Sequence, residues 1–248
     1  MHKILDVDLD ILRAWITDKR TNDEVRETFH GKKSKIFFRD LFMCSRWLAD
    51  EHLDALFLFI HFKIKAAGIP SVQNFTTADT IFMNRPFDWK KEYRLVDYVV
   101  GSKEDFQDPW ASVDYVYSPF NVHANQWVLL CLDLVSCQVK VSDSLPSLTS
   151  AEEMRNILLP ISELVPNLLD STGFFVTRGG SSTYKEPWLV IIVDSFPLQR
   201  NNSDCGVFTI KYFEYIAAGF DLDTLCQENM SYFRKQLAFQ LWTNTPMY

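Results

Sequence analysis

Apolar residues recur three or four positions apart in the first half of the chain. In SRWLADEHLDALFLFIHFKIKAAGIP this spacing predicts a long helix, capped by Ser45 and ended by Gly68 and Pro70. A shorter helix is predicted from Val7 to Ile16, followed by a polar connection. We interpret residues 1–40 as an N-terminal helical extension and residues 41–248 as the main domain.

The spacing changes to that of β-strands in the middle of the chain. Residues 71–109 are expected to be mostly irregular or helical, and a helix is predicted from Ser150 to Leu159, capped by Thr149 or Ser150. After the last predicted strand, CGVFTIKYFEYIAAG predicts a helix from Cys205 that stops at Gly219. The predicted strands are VDYVYSPF, WVLLCLDL, QVKVSDSL and WLVIIVDSF. Strands in the middle with helices around them predict an α+β fold with a central mixed sheet.

Composition narrows the class of protein. The 248 residues are 47% hydrophobic and carry a net charge of -7, so we expect a globular chain that does not bind nucleic acid. Five cysteines without CxxC spacing argue against disulfides and zinc, and favour an intracellular protein of the nucleus or cytoplasm. We expect no signal peptide, membrane span, metal or cofactor, and a monomer. The abrupt start MHKILDVD favours a fragment of a longer protein.

Cys205 is the best candidate nucleophile. It follows the polar turn NNSD at the predicted start of a helix, where the helix dipole favours a thiolate, and Gly206 would let a substrate backbone approach. Gln199 lies six residues earlier and could donate to an oxyanion, and Asp143 at a strand end could orient an imidazole. Taken alone, each has an ordinary alternative: a small buried cysteine, a solvated glutamine and a turn aspartate.

Together these motifs resemble a known family. RWLADEHLDALF, then a strand beginning at a tryptophan, then VKVSDSL, then QRNNSDCGVFTIKYFEYI is similar in order and spacing to the ubiquitin-like-protein-specific cysteine proteases of the SUMO-protease (sentrin-specific protease) type, most of all to their divergent plant branch. The resemblance covers roughly residue 42 to the C-terminus. It implies a papain-like cysteine protease fold and cleavage after a Gly-Gly tail, in maturation or deconjugation of a SUMO-type protein.

The resemblance also implies roles for single residues. Cys205 would be the nucleophile, Gln199 the oxyanion donor and Asp143 the residue that orients the base. Trp127 would cover a narrow Gly-Gly tunnel, flanked by the helix start that carries Trp47 and Asp50. Such a tunnel has a physical rationale, because only a strand without side chains fits it.

The chain departs from the family at the general base. The family histidine directly precedes the tryptophan, where this chain has Gln126, seventeen residues before Asp143. A neutral amide takes no proton near pH 7, so Gln126 cannot act as the base. His123 is a substitute only if its loop folds back over Cys205, because three residues of extended chain span roughly 10 Å. Otherwise His123 is an exposed loop residue.

Three functions stay open at this point. The first is an active cysteine-type peptidase that processes a ubiquitin-like protein. The second is a degenerate member, a pseudoenzyme that binds such a protein without cleaving it. The third is another thiol enzyme on the same fold, such as an acyltransferase with a wider pocket. For this molecule we predict weak or absent cleavage.

Overall fold

The computed structural model describes residues 5–68, 73–84, 93–101, 108–180 and 186–243. The helices are α1 (Asp6–Thr17), α2 (Lys35–Phe42), α3 (Asp50–Ala66), α4 (Thr80–Asn84), α5 (Tyr93–Val100), α6 (Ala151–Ser171), α7 (Phe174–Thr177), α8 (Cys205–Ala218) and α9 (Met230–Thr243). The strands are β1 (Val25–Thr28), β2 (Gly31–Ser34), β3 (Phe75–Thr77), β4 (Tyr115–Val122), β5 (Gln126–Asp133), β6 (Gln138–Ser142) and β7 (Leu189–Val193).

A mixed five-stranded sheet forms the centre, in the order β3-β4-β5-β6-β7. The pairs β4–β5 and β5–β6 are antiparallel, whereas the two outer pairs are parallel. Helices on both sides of this sheet confirm the predicted α+β class and the papain-like arrangement. No described helix is both long and apolar enough to cross a membrane.

Strand β5 divides the core because successive side chains point to opposite faces of a sheet. Its odd-numbered residues from Trp127 to Cys131 pack with α3 and α8, and its even-numbered residues from Val128 to Leu132 pack with α6. All eight β5 residues are buried, which explains why the sequence shows a continuous apolar run there. The centre of the sheet therefore carries Trp127 and fixes its position against the helix that begins at Cys205.

The start of α3 differs from the prediction. Ser45 is not the cap: the helix begins at Asp50, and Ala49 is the N-cap residue. The imidazole of His52 does the capping, because its Nδ1 accepts the backbone N–H of Ala49 at 3.1 Å. Residues 43–49 form a connection that begins with a turn, in which the backbone N–H of Arg46 donates to the carbonyl of Met43, and that leads to the site. Gly68, with a φ of 55°, follows the helix end as expected, and Pro70 lies outside the described residues.

Helix α6 is longer than predicted. Ser150 caps it as expected, accepting the N–H of Glu153, but the helix continues through Pro160 and Pro166 to Ser171. Its apolar face goes on beyond Leu159 and packs on the sheet, and this burial outweighs the hydrogen bonds that the prolines remove.

The first forty residues are not all helical. The predicted helix is present as α1, but residues 25–34 form the antiparallel pair β1–β2, which the sequence analysis missed. Strand β3, in the segment expected to be irregular or helical, was missed too. Leu12 and Phe38 of this part share one core cluster with Cys205. The domain boundary at residue 40 stays a prediction.

Candidate active site

Cys205 is the first residue of α8, as predicted, and only 2% of its surface is exposed. The turn before it is built by side chains. Asn201 accepts the backbone N–H groups of Ser203 and Asp204 at 3.1 Å each and donates to the Asp204 carboxylate at 2.7 Å. These bonds fix the polar turn and hold the thiol at the helix start.

Burial decides the protonation state of the Cys205 thiol. It raises the pKa to about 11, although backbone N–H groups of Trp127 and Gly206 and the charge of Arg234 act in the opposite direction. Desolvation thus acts against the thiolate that the helix dipole favours, and the role of Cys205 as nucleophile stays a prediction. The N–H contact also places the sulfur beside the peptide that joins Gln126 to Trp127.

Gln126 and Asp143 form a buried pair. The Gln126 side chain donates from Nε2 to Oδ1 of Asp143, and Asp143 also accepts the backbone N–H of Leu145 at 2.7 Å. Burial raises the pKa of Asp143 despite these two bonds. Among the described residues, nothing donates to the buried Oε1 of Gln126. Gln126 thus occupies the place on Asp143 that an imidazole would need.

His123 lies in the turn between β4 and β5 and is not brought into this cluster. Its φ is 53°, its side chain is 59% exposed, and its Nε2 lies 3.2 Å from Oε1 of Glu153 at the start of α6. The loop does not fold His123 back over Cys205, so the geometry gives no support to His123 as a substitute base.

Gln199 joins the two halves of the cluster. Its backbone N–H donates to the carbonyl of Ser144, next to Asp143, and its side-chain oxygen accepts from the Ser144 hydroxyl at 2.7 Å. Its Nε2 donates to the carbonyl of Asn201 at 2.6 Å, which uses one of the two hydrogens on that nitrogen. Its role as oxyanion donor stays a prediction.

Leu48, Trp127 and Gly206 meet beside Cys205, and we call them the tunnel residues. The indole Nε1 of Trp127 donates to the carbonyl of Leu48 at 2.7 Å. A Cβ built on Gly206 would lie 3.1 Å from Cβ of Leu48 and 3.3 Å from Cδ1 of Trp127. Only glycine fits at this position without displacing its neighbours.

The other predicted tunnel residues lie on the same segment as Leu48. Trp47 directly precedes it and is 36% exposed, and Asp50 is exposed at the first position of α3. The structure thus places Trp47 and Asp50 on the segment that carries Leu48, while their roles toward a substrate stay predictions.

The remaining histidines have structural surroundings. His52 is stacked on Phe37 with ring centroids 4.3 Å apart, and burial lowers its pKa. His61 is buried, and desolvation lowers its pKa to about 4. His30 lies beside Lys33, and His2 is outside the described residues. Within the described ranges, no three His, Cys, Asp or Glu side chains form a cluster that could hold a metal ion.

The sequence analysis missed two charged residues next to the site. Asp204, which directly precedes Cys205, accepts hydrogen bonds from Arg234 and from Gln227. Arg234 is fully buried in α9. A signal for Arg234 existed, because it stands within the apolar stripe of α9, whose other members are Met230, Phe233, Leu237, Ala238 and Leu241. A cation at a core position needs a buried partner.

Comparisons with known proteins give a consistent picture of the family. The sequence model of the Ulp1 protease family, C-terminal catalytic domain, matches residues 46–243. Ubiquitin-like-specific protease 1A of Arabidopsis thaliana is 41% identical over 54 residues, which are 22% of this chain and 11% of that protein. Ubiquitin-like-specific protease ESD4 of the same plant is 33% identical over 64 residues, or 26% and 13% of the two chains.

Solved structures agree at the level of the fold. The C-terminal Ulp1 protease domain in complex with Smt3, the yeast ortholog of SUMO, superposes with a TM-score of 0.71 at 19% identity and covers 99% of this chain and 98% of that one. The Ulp1-like SUMO protease catalytic domain of Chaetomium thermophilum gives 0.72 at 19% identity, with 98% and 91% covered. With a family match over most of its length, this chain belongs to the Ulp1 protease family, a family of cysteine proteases that act on ubiquitin-like proteins.

Proposed function

We propose that this chain binds the Gly-Gly tail of a SUMO-type protein, or of its conjugates, and cleaves after that tail weakly or not at all. The observation that carries the proposal is the buried Gln126, hydrogen-bonded to Asp143 where the family's imidazole would stand. Different residues support the tail-binding part and the chemical part of the site.

Tail binding is supported by the tunnel residues. Gly206, Leu48 and Trp127 pack so closely beside Cys205 that a methyl group added to Gly206 would crowd its neighbours. A nearly buried thiol with such close packing beside it leaves little room for substrate side chains, which favours a peptide made of glycine. The yeast relative whose structure is similar was solved in complex with a SUMO protein, which supports a partner of the same type here.

Cleavage requires proton transfers that this site lacks. Cys205 must lose its proton to attack the carbonyl carbon, and the leaving amine must gain one when its bond to that carbon breaks. With a pKa of about 11, only about one thiol in 10⁴ is ionised at pH 7. Gln126 can neither take nor give the proton, so the expected turnover is very slow.

The runner-up is a competent peptidase that uses His123 as its base. It would require the β4–β5 turn to move the imidazole away from Glu153 and into a buried site. The exposed position of His123 weighs against this alternative, and His123→Ala tests it.

The test compares turnover of a SUMO precursor with residues after its Gly-Gly by the natural protein and by Gln126→His, His123→Ala and Cys205→Ala. We expect Gln126→His to raise kcat/KM by about 10³-fold or more, because an imidazole would again link Asp143 to the thiol. Cys205→Ala should bind the same SUMO with unchanged affinity and cleave none of it.

Two results would overturn the proposal. If the natural protein cleaves efficiently and His123→Ala abolishes the activity, His123 is the base. If neither the natural protein nor Cys205→Ala binds a SUMO that ends in Gly-Gly, the tunnel residues serve a different ligand.

A further inference from the structure

Arg234 is a fully buried cation that lies outside the catalytic cluster. Its side chain extends from α9, and none of its surface is exposed. Each of its three guanidinium nitrogens donates a hydrogen bond, and one of them donates two. The acceptors are Oδ1 of Asp204 at 3.1 Å and the backbone carbonyls of Met43 at 3.1 Å, Arg46 at 2.7 Å and Ser203 at 2.8 Å.

These acceptors belong to two segments that are far apart in sequence. One segment ends at Asp204, directly before Cys205, and the other runs from Met43 through Arg46 to Leu48. The first positions the nucleophile and Gly206, and the second positions a tunnel wall. One side chain therefore ties both walls together, which a planar fork with five donors in fixed directions can do and a lysine cannot.

The distance between these walls leaves little tolerance. A Cβ on Gly206 would lie 3.1 Å from Cβ and 3.2 Å from Cδ1 of Leu48. If the Leu48 segment moved outward by about 1 Å, the close packing of Leu48 on Gly206 beside the thiol would be lost. How closely the two segments approach thus decides how far Leu48 covers the helix start that carries Cys205.

We propose that Arg234 is a positioning residue that holds the Leu48 segment against the start of α8 and so limits the size of the group that can reach Cys205. The identity of the tail rests on the proposed function, whereas the spacing of the walls does not. The charge of Arg234, which also acts on the Cys205 thiol, can be separated from its geometry, because lysine keeps the charge and loses the fork.

The experiment measures the access to Cys205 directly. The natural protein, Arg234→Lys and Arg234→Met are alkylated with iodoacetamide and with the bulkier N-phenylmaleimide, and the modified cysteines are identified by peptide mass spectrometry. Cys137, in the turn between β5 and β6, is the internal reference. Arg200→Met is the matched control, since Arg200 is exposed and pairs only with the exposed Glu228 through its side chain.

We expect both Arg234 variants to raise the maleimide-to-iodoacetamide rate ratio at Cys205 by about tenfold, with no change at Cys137 or in Arg200→Met. Because Arg234→Met leaves Asp204 buried without its cation, the double variant Arg234→Met, Asp204→Asn is measured alongside it. An unchanged ratio in folded Arg234→Lys overturns the proposal. If Arg234→Lys does not fold, hydrogen exchange of the natural protein decides. Rapid exchange of the backbone amides in residues 43–49 would then contradict a fixed wall.

A second measurement connects the spacing to specificity. Binding is measured for SUMO that ends in Gly-Gly and for the same SUMO that ends in Gly-Ala. The natural protein should prefer Gly-Gly by about tenfold to a hundredfold, and Arg234→Lys should lose most of that preference. An unchanged preference overturns the specificity role. If the natural protein binds neither SUMO while the alkylation ratio shifts, the proposed function fails and the positioning role of Arg234 stands.

Discussion

At the residue scale, Gln126 differs from an imidazole in the one property that Cys205 needs. Both side chains can donate to Asp143, so both satisfy the buried carboxylate. Only the imidazole can also hold a proton and stabilise a thiolate by its charge. The substitution therefore preserves the packing of the site while it removes the proton transfer, which is why a folded, binding-competent protein with little turnover is the expected result.

The pH dependence of thiol alkylation tests this view. The raised pKa of about 11 keeps Cys205 protonated through pH 7–9, so its iodoacetamide rate should stay low there and rise toward pH 11. In Gln126→His the rise should begin at lower pH, because an imidazolium favours the thiolate. The exposed Cys44 serves as reference in the same digest. A fast Cys205 reaction at pH 7 in the natural protein would contradict the buried, neutral thiol.

Gly206→Ala tests the tunnel from the other side. The added Cβ would crowd Leu48 and Trp127 at 3.1–3.3 Å, so we expect a loss of about 1–3 kcal/mol in the free energy of unfolding and a loss of SUMO binding. Chemical denaturation and binding assays measure the two effects. Unchanged SUMO binding in folded Gly206→Ala would argue against a glycine-only site.

The site residues that could be predicted are those whose signal is local. Cys205 and Gln199 share one motif, and Gln126 and Asp143 stand at strand ends, so the order and spacing of local motifs supported the family resemblance that placed them in one site. Arg234 and Leu48 could not be paired in this way. The contact of Arg234 with Met43 joins residues 191 positions apart and that of Leu48 with Trp127 joins residues 79 apart, and no local pattern encodes which carbonyl a buried guanidinium or indole will meet.

At the scale of elements, local sequence patterns predict the helices and the long strands, but they do not predict the short strands. Helix α8 and strands β4 to β6 have full periods and clear ends, and Gly219 adopts the left-handed conformation expected at a helix end. Strand β3 has only three residues, and two of the four residue pairs between β1 and β2 join charged side chains, Arg26 with Lys33 and Glu27 with Lys32. Neither shows the alternation that marks a half-buried strand.

Asp54 links two elements and predicts a pH effect. From within α3 it accepts the backbone N–H and the hydroxyl of Thr80 at the start of α4, at 2.8 and 2.9 Å. Burial raises its pKa from 3.8 to about 7. The folded state therefore holds a proton that the unfolded chain releases between these values, and stability should fall as pH rises from about 4 to 7, by at most roughly 1.4 kcal/mol per pH unit.

Asp54→Asn should remove this slope, because an amide stays neutral and its oxygen can still accept from Thr80. Denaturation curves at pH 4, 5.5 and 7 for both proteins measure the difference. Asp114→Asn is a control on a partly exposed carboxylate, which pairs with Arg178. If the natural protein and Asp54→Asn show the same pH dependence, Asp54 is ionised throughout this range.

At the scale of the whole molecule, the sheet separates two core clusters, and the candidate site depends on one of them. Helices α3 and α8 pack side by side in the cluster that contains Trp127 and Cys205. Helix α3 directly follows the Leu48 segment, and α8 begins at Cys205. Contacts that hold α3 and α8 together therefore also keep the site assembled, even where these contacts lie far along both helices from the thiol.

A buried ion cluster between the two helices does this. Glu214 of α8 accepts from Lys63 of α3 at 2.7 Å and from Lys211 at 2.6 Å, and all three side chains are at most 12% exposed. These two cations hold the pKa of Glu214 down at about 2, in spite of its burial. Removing one member of such a cluster leaves uncompensated charge in the core, which is far more costly than losing a surface pair.

Glu214→Gln should lower the free energy of unfolding at pH 7 by about 3–5 kcal/mol. Asp10→Asn, which breaks the exposed pair with Arg13, should change it by less than about 1 kcal/mol. Because the folded pKa of Glu214 lies below its ordinary value of 4.5, its contribution is complete above that pH and declines as pH falls toward 2. The gap between the natural protein and Glu214→Gln should therefore shrink between pH 5 and 2.5. A gap that stays constant over this range would mean that packing, and not the charge of Glu214, joins α3 to α8.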